Sequence, residues 1–307
     1  MNLLIALLVI LGLCFFETIS SIDNAIINAE VLHDMSKKAR QWFLWWGLLF
    51  AVFVVRGLLP WAIVWATMPD LGPVGALTAS FSNDPNVHRA IEAAAPVLLI
   101  GGGTFLIFLF FNWLFLEDKN YGLIGERFFH KQGVWFYAVV SIFLSVLVWL
   151  TLQIHPLMAF GAVLGSTAFF ITYGFRENAE KQEQKLISQR GSISDLSKVL
   201  YLMVIDATFS LDGVLGAFAF TLSVPLILIG NGLGAILVRK LTISNIENIK
   251  KYQYLKNGAM YSIAVLGVVM LVESFGFNFP SCFSPLATFI IVGYFFFKSK
   301  NENVKTL

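Results

Sequence analysis

Charge is scarce in this sequence: 13% of its 307 residues are Asp, Glu, Lys or Arg, about half the roughly 25% typical of soluble proteins. A soluble chain of this length needs far more charge to cover its surface, so one- and two-domain soluble architectures are excluded. Cysteine is nearly absent, with only Cys14 and Cys282, which removes a disulfide framework and a thiolate metal centre. The four histidines, at 33, 88, 130 and 155, fall in loops or at the ends of apolar runs. A net charge of +2 with no clustered basic face argues against nucleic acid as a partner. There is no Walker motif, so ATP-driven transport has no support.

What fills the sequence is apolar. Hydrophobic residues make up 57%, with 30 phenylalanines and a mean hydropathy of +0.76, the composition of a multi-pass membrane protein embedded in a lipid bilayer. The apolar N-terminus, with no basic region and no small-residue cleavage site, is expected to be a retained span. Apolar runs predict about nine spans, at 3–32, 42–67, 95–116, 134–153, 156–175, 199–222, 224–238, 258–275 and 284–297. The fold class is therefore all-α, a polytopic transmembrane helix bundle. Thirty residues of unbroken helix would reach about 45 Å, well beyond ~30 Å of hydrocarbon, so the first span is expected to tilt or break at the polar cluster near its middle. The chain divides into a membrane half at 1–175, a polar linker at 176–198 and a second membrane half at 199–307.

Basic residues orient the spans. Segments 33–41, 117–133, 176–198, 239–257 and the tail from Lys298 hold 3, 3, 5, 5 and 3 Lys/Arg, 19 of the 21 in the chain. The positive-inside rule then places the N-terminus outside and the C-terminus in the cytoplasm of a cell's inner membrane. The eight tryptophans all fall near proposed span ends, as an interfacial belt requires. The 176–198 segment, with Glu177, Glu180, Lys181, Glu183, Lys185 and Arg190, is expected to be a solvated helix. Glu117, Asp118 and Glu126 are expected to be solvated on the same side.

Four carboxylates break the apolar pattern: Glu17 and Asp23 in the first span, Asp206 and Asp212 in the sixth. Each costs roughly 2.5–3.5 kcal/mol at a helix centre if charged and unpaired. Arg56 is the one basic group that the span assignment places at comparable depth. Glu17-Thr-Ile-Ser-Ser21-Ile22-Asp23-Asn24 aligns without gaps on Asp206-Ala-Thr-Phe-Ser210-Leu211-Asp212-Gly213, 189 positions later. Spans one and six have opposite orientation in the predicted topology, so the pair forms an inverted repeat, the arrangement that sets substrate sites near the midplane of many secondary transporters. The alternative is a chance match of two short apolar segments. On an intact helix Glu17, Ser20 or Ser21, Asn24 and Asn28 form one polar stripe. Asp23 lies about 120° from Glu17, so the two acids meet only if the helix unwinds or each pairs across to the other repeat. In span six Thr208 and Asp212 share a face, with Ser210 between them, and Gly213 and Gly216 permit close approach.

Carboxylate, amide and hydroxyl oxygens suit a hard divalent cation such as Mn²⁺, Mg²⁺ or Ca²⁺ as substrate; Na⁺ or H⁺ coupling fits the same groups. No resident cofactor is expected. Asn231, between Gly230 and Gly232 in span seven, could add an amide ligand, although helix packing explains the glycines equally well. Arg56 reads as a counter-charge for an empty carboxylate or as a structural ion pair.

These residues resemble the TerC family of integral membrane proteins. Glu17-x3-Ser21-Ile-Asp23-Asn24-Ala25 is similar to its first acidic signature and Asp206-x3-Ser210-Leu-Asp212-Gly213-Val214 to its second. The branch called domain of unknown function 475 is the nearest, through Phe53-Val-Val-Arg56-Gly-Leu-Leu-Pro60, Gly101-Gly-Gly-Thr-Phe-Leu106, Glu117-Asp-Lys119 and Tyr254-Leu-Lys-Asn-Gly-Ala-Met-Tyr261. The resemblance implies metal-ion efflux, manganese foremost, with Glu17, Asp23, Asn24, Asp206 and Asp212 as ion-binding residues and tellurite resistance as the historical label. Leu116 and Gly122 stand where that branch carries an acid and a histidine, and Met260 where it carries a histidine. Two rival readings remain. An intramembrane aspartyl protease would use two aspartates sharing a proton, but Asp212 follows Ser210-Leu211 and not Gly-x-Gly. A role in membrane-protein insertion or assembly would tolerate neutral residues at Asp23 and Asp212. The expectation is a transporter and not an enzyme.

Overall fold

Within hydrocarbon every backbone N–H and C=O must be satisfied inside its own segment, so an apolar chain of this kind folds as helices. The computed structural model describes residues 2–33, 35–47, 50, 57–58, 61, 65, 72–79, 85–188, 194–244 and 251–305. Among these residues there is no strand, and the α-helices are α1 (Leu3–Ser20), α2 (Ile22–His33), α3 (Lys37–Trp42), α4 (Gly72–Ala79), α5 (Pro85–Phe115), α6 (Glu126–Lys131), α7 (Phe136–Leu152), α8 (Pro156–Ser188), α9 (Asp195–Ala217), α10 (Val224–Ser244), α11 (Leu255–Ser274) and α12 (Phe283–Lys305). Six stretches, in α1, α5, α7 with the turn before it, α8, α10 and α11, are long and apolar enough to cross a membrane. The expected span at 42–67 and its Arg56 lie largely outside the described residues.

Helix ends follow local chemistry. Ser36 and Ser194 cap α3 and α9 by accepting from Ala39 N at 3.3 Å and Ser197 N at 3.2 Å, satisfying N–H groups that have no partner inside the helix. The Ser36 N–H also donates to Asp195 Oδ2 at 3.2 Å, which ties the two helix starts together. Gly276 ends α11 at φ +90°, a conformation open to glycine and costly for other residues. The long first run is interrupted at Ser21, φ −92° and ψ 6°. The break is mild, because Ser21 N still reaches Glu17 O at 3.1 Å and Ala25 N reaches Ser21 O at 2.9 Å.

α9 is the central helix, packed against α1, α2, α5, α8, α10 and α11. Glycines set how closely its neighbours approach. A Cβ on Gly230 or Gly234 of α10 would lie 2.5–2.6 Å from Leu13 and Glu17 of α1, so those two helices run parallel in near-backbone contact. Gly213 and Gly216 of α9 meet Glu17 and Phe16, so α9 runs antiparallel to α1. Gly161 and Gly165 of α8 press on the carbonyls of Val97 and Gly101 in α5, the small-xxx-small contact common in membrane bundles.

Beside these contacts an aromatic core of Phe105, Phe108, Trp113, Phe136 and Phe169 is fully buried, with edge-on ring pairs such as Phe108–Phe169 at 5.6 Å. Trp113 departs from the expected interfacial belt: its indole packs on Tyr261 at 5.5 Å, under the Lys119 ammonium. Apolar side chains also cover the outside. α7 turns Ile142, Val146 and Trp149 outward at 51–65% exposure. Hydrophobic faces on both the inside and the outside of a bundle fit lipid and are unfavourable in water.

The polar segment after residue 175 begins within α8, which runs unbroken to Ser188. Arg176, its first residue, has a side chain only 14% exposed. That position corrects the expectation of a wholly solvated linker.

Candidate functional site

Glu17 sits on the last turn of α1 and is 1% exposed. Its Oε1 accepts from Ser21 Oγ at 2.8 Å. The side chain is seated between two glycines: a Cβ at Gly213 would lie 2.5 Å from Oε2, and one at Gly234 would lie 2.6 Å from the Glu17 Cβ. The acid of the first motif thus touches the residue next to the second acid of the other motif. At the other end of the crossing, Asn28 Nδ2 of α2 donates to Asp206 Oδ1 at 3.4 Å. The two acidic motifs lie side by side on antiparallel helices.

Sequence alignment equates Glu17 with Asp206 and Asn24 with Gly213, so the mate of the Glu17–Gly213 contact is Asp206–Asn24, which involves a side chain outside the described set. Among the described residues Asp206 reaches Asn28, one turn further along. Asp23 and Asn24 are on α2, and Thr208 and Ser210 on α9, with side chains outside the described set. Asn231 is fully buried on the α10 stretch between Gly230 and Gly234, which places it level with the end of α1.

Both aspartates of α9 are held by arginines. Arg176 Nη2 of α8 lies 2.5 Å from Asp212 Oδ2, and Arg239 Nη2 of α10 lies 2.7 Å from Asp206 Oδ2. All four side chains are 12–14% exposed. This corrects the reading of Arg56 as the only basic group at the depth of the acids. Sequence reasoning assigned Arg176 and Arg239 to the polar flanks because each is the first basic residue after an apolar run. Two carboxylates costing about 2.5–3.5 kcal/mol each if unpaired were the available signal that two deep cations had to exist. The same reasoning missed Gly234, whose role follows from α10 lying against α1. Asp212 Oδ1 and Asn28 Oδ1 are buried with no hydrogen-bond partner among the described residues. Among those residues no group of three or more His, Cys, Asp or Glu gathers as a metal cluster.

Beyond the end of α5 a second charged layer lies near this site. Glu117 pairs with Lys256 Nζ at 2.7 Å. Burial pushes the Glu117 carboxyl up, but Lys256, Arg176 and Lys119 together outweigh it and hold the group below the usual carboxylate range. Glu126 is 1% exposed and accepts from Gly122 N at 2.7 Å, Leu123 N at 3.1 Å and Asn257 Nδ2 at 2.9 Å. The expectation that Glu126 is solvated is overturned; its carboxylate caps the turn leading into α6. Gly122 is required there, because a Cβ would lie 2.7 Å from the Phe295 ring.

At the opposite end, where α1 begins and α11 finishes, a cavity of about 410 Å³ is lined by Glu92, Phe218, Phe220, Glu273 and Asn278. Phe220 packs on Phe16 with ring centroids 5.6 Å apart, so an aromatic pair stands between this cavity and Glu17.

The family model described as "Protein of unknown function (DUF475)" matches residues 22–306. No curated protein and no solved structure matches the chain.

Proposed function

From a chain that belongs to the DUF475 family of proteins of unknown function, we propose a secondary transporter that exports a hard divalent cation, with Mn²⁺ as the first candidate. The observation that carries this reading is the seating of Glu17 against Gly213, beside Asp212, which joins the two acidic motifs in one buried layer. Carboxylates at this depth are retained at a cost, and in membrane proteins they mark ion pathways. The donors are all oxygen, as hard cations require. The resemblance to TerC proteins points to manganese among these cations.

In this reading nine spans place the N-terminus outside and the C-terminus in the cytoplasm. The antiparallel crossing of α1 and α9 is what an inverted repeat of spans one and six calls for. Glu17, Asp23, Asn24, Asp206 and Asp212 replace the ion's hydration shell, with Ser21, Asn28, Thr208, Ser210 and Asn231 in support. The cytoplasmic route enters past Glu117. The 410 Å³ cavity is the exit, closed in this conformation by Phe16 and Phe220.

The protease alternative is disfavoured because Asp206 and Asp212 are each bound to a different arginine, whereas a proton-sharing dyad needs two facing carboxylates. Reconstitution in liposomes loaded with a metal-sensitive dye tests the proposal. Wild type should move Mn²⁺, and Glu17→Gln, Asp206→Asn and Asp212→Asn should each lower the rate by at least the roughly 10–100-fold that losing an outer-shell partner of a metal ligand costs. No flux of any divalent cation by wild type, with neutral variants still complementing a deletion strain, would overturn it in favour of an assembly or stress-resistance role without transport.

A further inference from the structure

The transport reading leaves two largely enclosed arginines unexplained. A cation site needs negative charge, yet Arg176 and Arg239 stand on the aspartates that would supply it. Each comes from a different neighbour of α9, so the acidic helix is clasped from both sides, by α8 at Asp212 and by α10 at Asp206. We propose that Arg176 and Arg239 are tethered counter-cations, which hold Asp212 and Asp206 in the ion-free state and give way when the transported cation binds.

Three features of the geometry support exchange over a permanent structural pairing. First, Arg176 approaches Asp212 through Oδ2 alone; Oδ1 is buried and has no hydrogen-bond partner among the described residues. Structural Arg–carboxylate pairs frequently engage both carboxylate oxygens. The open oxygen is the one an arriving cation can take before the guanidinium leaves. Second, Arg239 has contacts that do not depend on Asp206 and can keep it in place once the aspartate is taken. Its Nη1 lies 3.5 Å from the Phe43 carbonyl oxygen, and its guanidinium stands 4.9 Å from the Phe43 ring centroid, a cation–π position. Third, Arg176 has a second carboxylate in electrostatic reach, Glu117. A divalent ion between Glu17 and Asp212 repels the guanidinium, and Glu117 receives it on the side from which the ion came.

The functional consequence is that Asp206 and Asp212 keep a counter-cation when the site is unloaded. Conformational change can therefore occur with either the cation or the arginines in place. Occupancy of Asp212 and Asp206 by arginine and by cation are mutually opposed, so by linkage removing an arginine must tighten cation binding.

This inference rests on the transport reading, and the experiment separates the two. Mn²⁺ itself is the probe, its binding to the purified full-length protein followed by loss of the free-ion electron paramagnetic resonance signal. Arg176→Gln and Arg239→Gln should bind Mn²⁺ more tightly by roughly 5–150-fold, the usual range of coupling between opposed occupancies, while liposome flux falls because the ion is released slowly. Mn²⁺ should also raise the thermal midpoint of the arginine variants more than that of wild type. If a variant does not fold alone, saturating Mn²⁺ should restore its monodisperse gel-filtration peak. Wild-type binding with no tightening in folded variants, or no rescue of an unfolded one, overturns the exchange proposal alone. Absence of Mn²⁺ binding in wild type and in the variants overturns manganese as the transported ion and this inference with it.

Discussion

Glu17 is buried among atoms that leave no room for adjustment on one side and some on the other, and the difference is testable. An added methyl at Gly213 meets the Oε2 tip of Glu17 at 2.5 Å, whereas one at Gly234 meets its Cβ and Cγ at 2.6 and 2.7 Å and the Cys14 carbonyl oxygen at 2.8 Å. A carboxylate tip can rotate away, but backbone cannot. Gly213→Ala should therefore leave the thermal midpoint nearly unchanged, since the roughly 1 kcal/mol gained in helix propensity offsets the displaced side chain. Mn²⁺ flux should nevertheless fall, because the carboxylate has moved. Gly234→Ala should cost about 1–3 kcal/mol through overpacking and lower stability and flux together. Thermal unfolding and flux measured on both variants check this pair; equal loss of stability in the two would remove Glu17 from its assigned seat.

At the scale of elements, helix existence was legible because apolar length alone dictates it. The runs at 134–153 and 258–275 became α7 and α11 nearly as drawn. The interruption of the first run was legible for the same reason, as length against bilayer thickness. What could not be read was partnership across elements. Arg176 and Arg239 look like ordinary flanking charges until α8 and α10 are seen beside α9. Glu126 looks like a loop carboxylate until Gly122, Leu123 and Asn257 are seen to donate to it.

The segment after α5 shows how such hidden contacts shift chemistry. Lys119 donates to the Trp113 and Leu114 carbonyl oxygens at the end of α5, and burial lowers its pKa from 10.5 to about 8 against the raising influence of Glu126 and Glu117. The folded state thus loses this proton near pH 8 and the unfolded chain near 10.5. Between those values the unfolded state binds more protons, so this group makes stability rise with pH. The difference in thermal midpoint between wild type and Lys119→Met should grow from pH 7.5 to 10, and a flat difference would contradict the burial of the ammonium.

For the whole molecule, the placement of charge carries the proposed orientation, and orientation decides what transport would mean. The parallel packing of α1 with α10 and its antiparallel packing against α9 are the directions that the proposed nine-span topology requires. In that proposal the positive-inside bias gives the absolute sense, and it keeps its sign when Arg176 and Arg239 are set aside as partners of the aspartates, because 17 of the remaining 19 basic residues still fall in the proposed inner segments. The native thiols provide a direct measurement. Cys282 lies partly exposed in the turn between α11 and α12, on the side assigned to the exterior. A membrane-impermeant maleimide applied to intact cells should modify the wild type and fail on Cys282→Ser. A cysteine introduced by Gln253→Cys in that Cys282→Ser background, at the opposite end of α11, should react only after the cells are permeabilised. Labelling of the second site and protection of the first in intact cells would invert the protein in its membrane. The 410 Å³ cavity would then face the cytoplasm, and the same carboxylate layer would describe uptake in place of export.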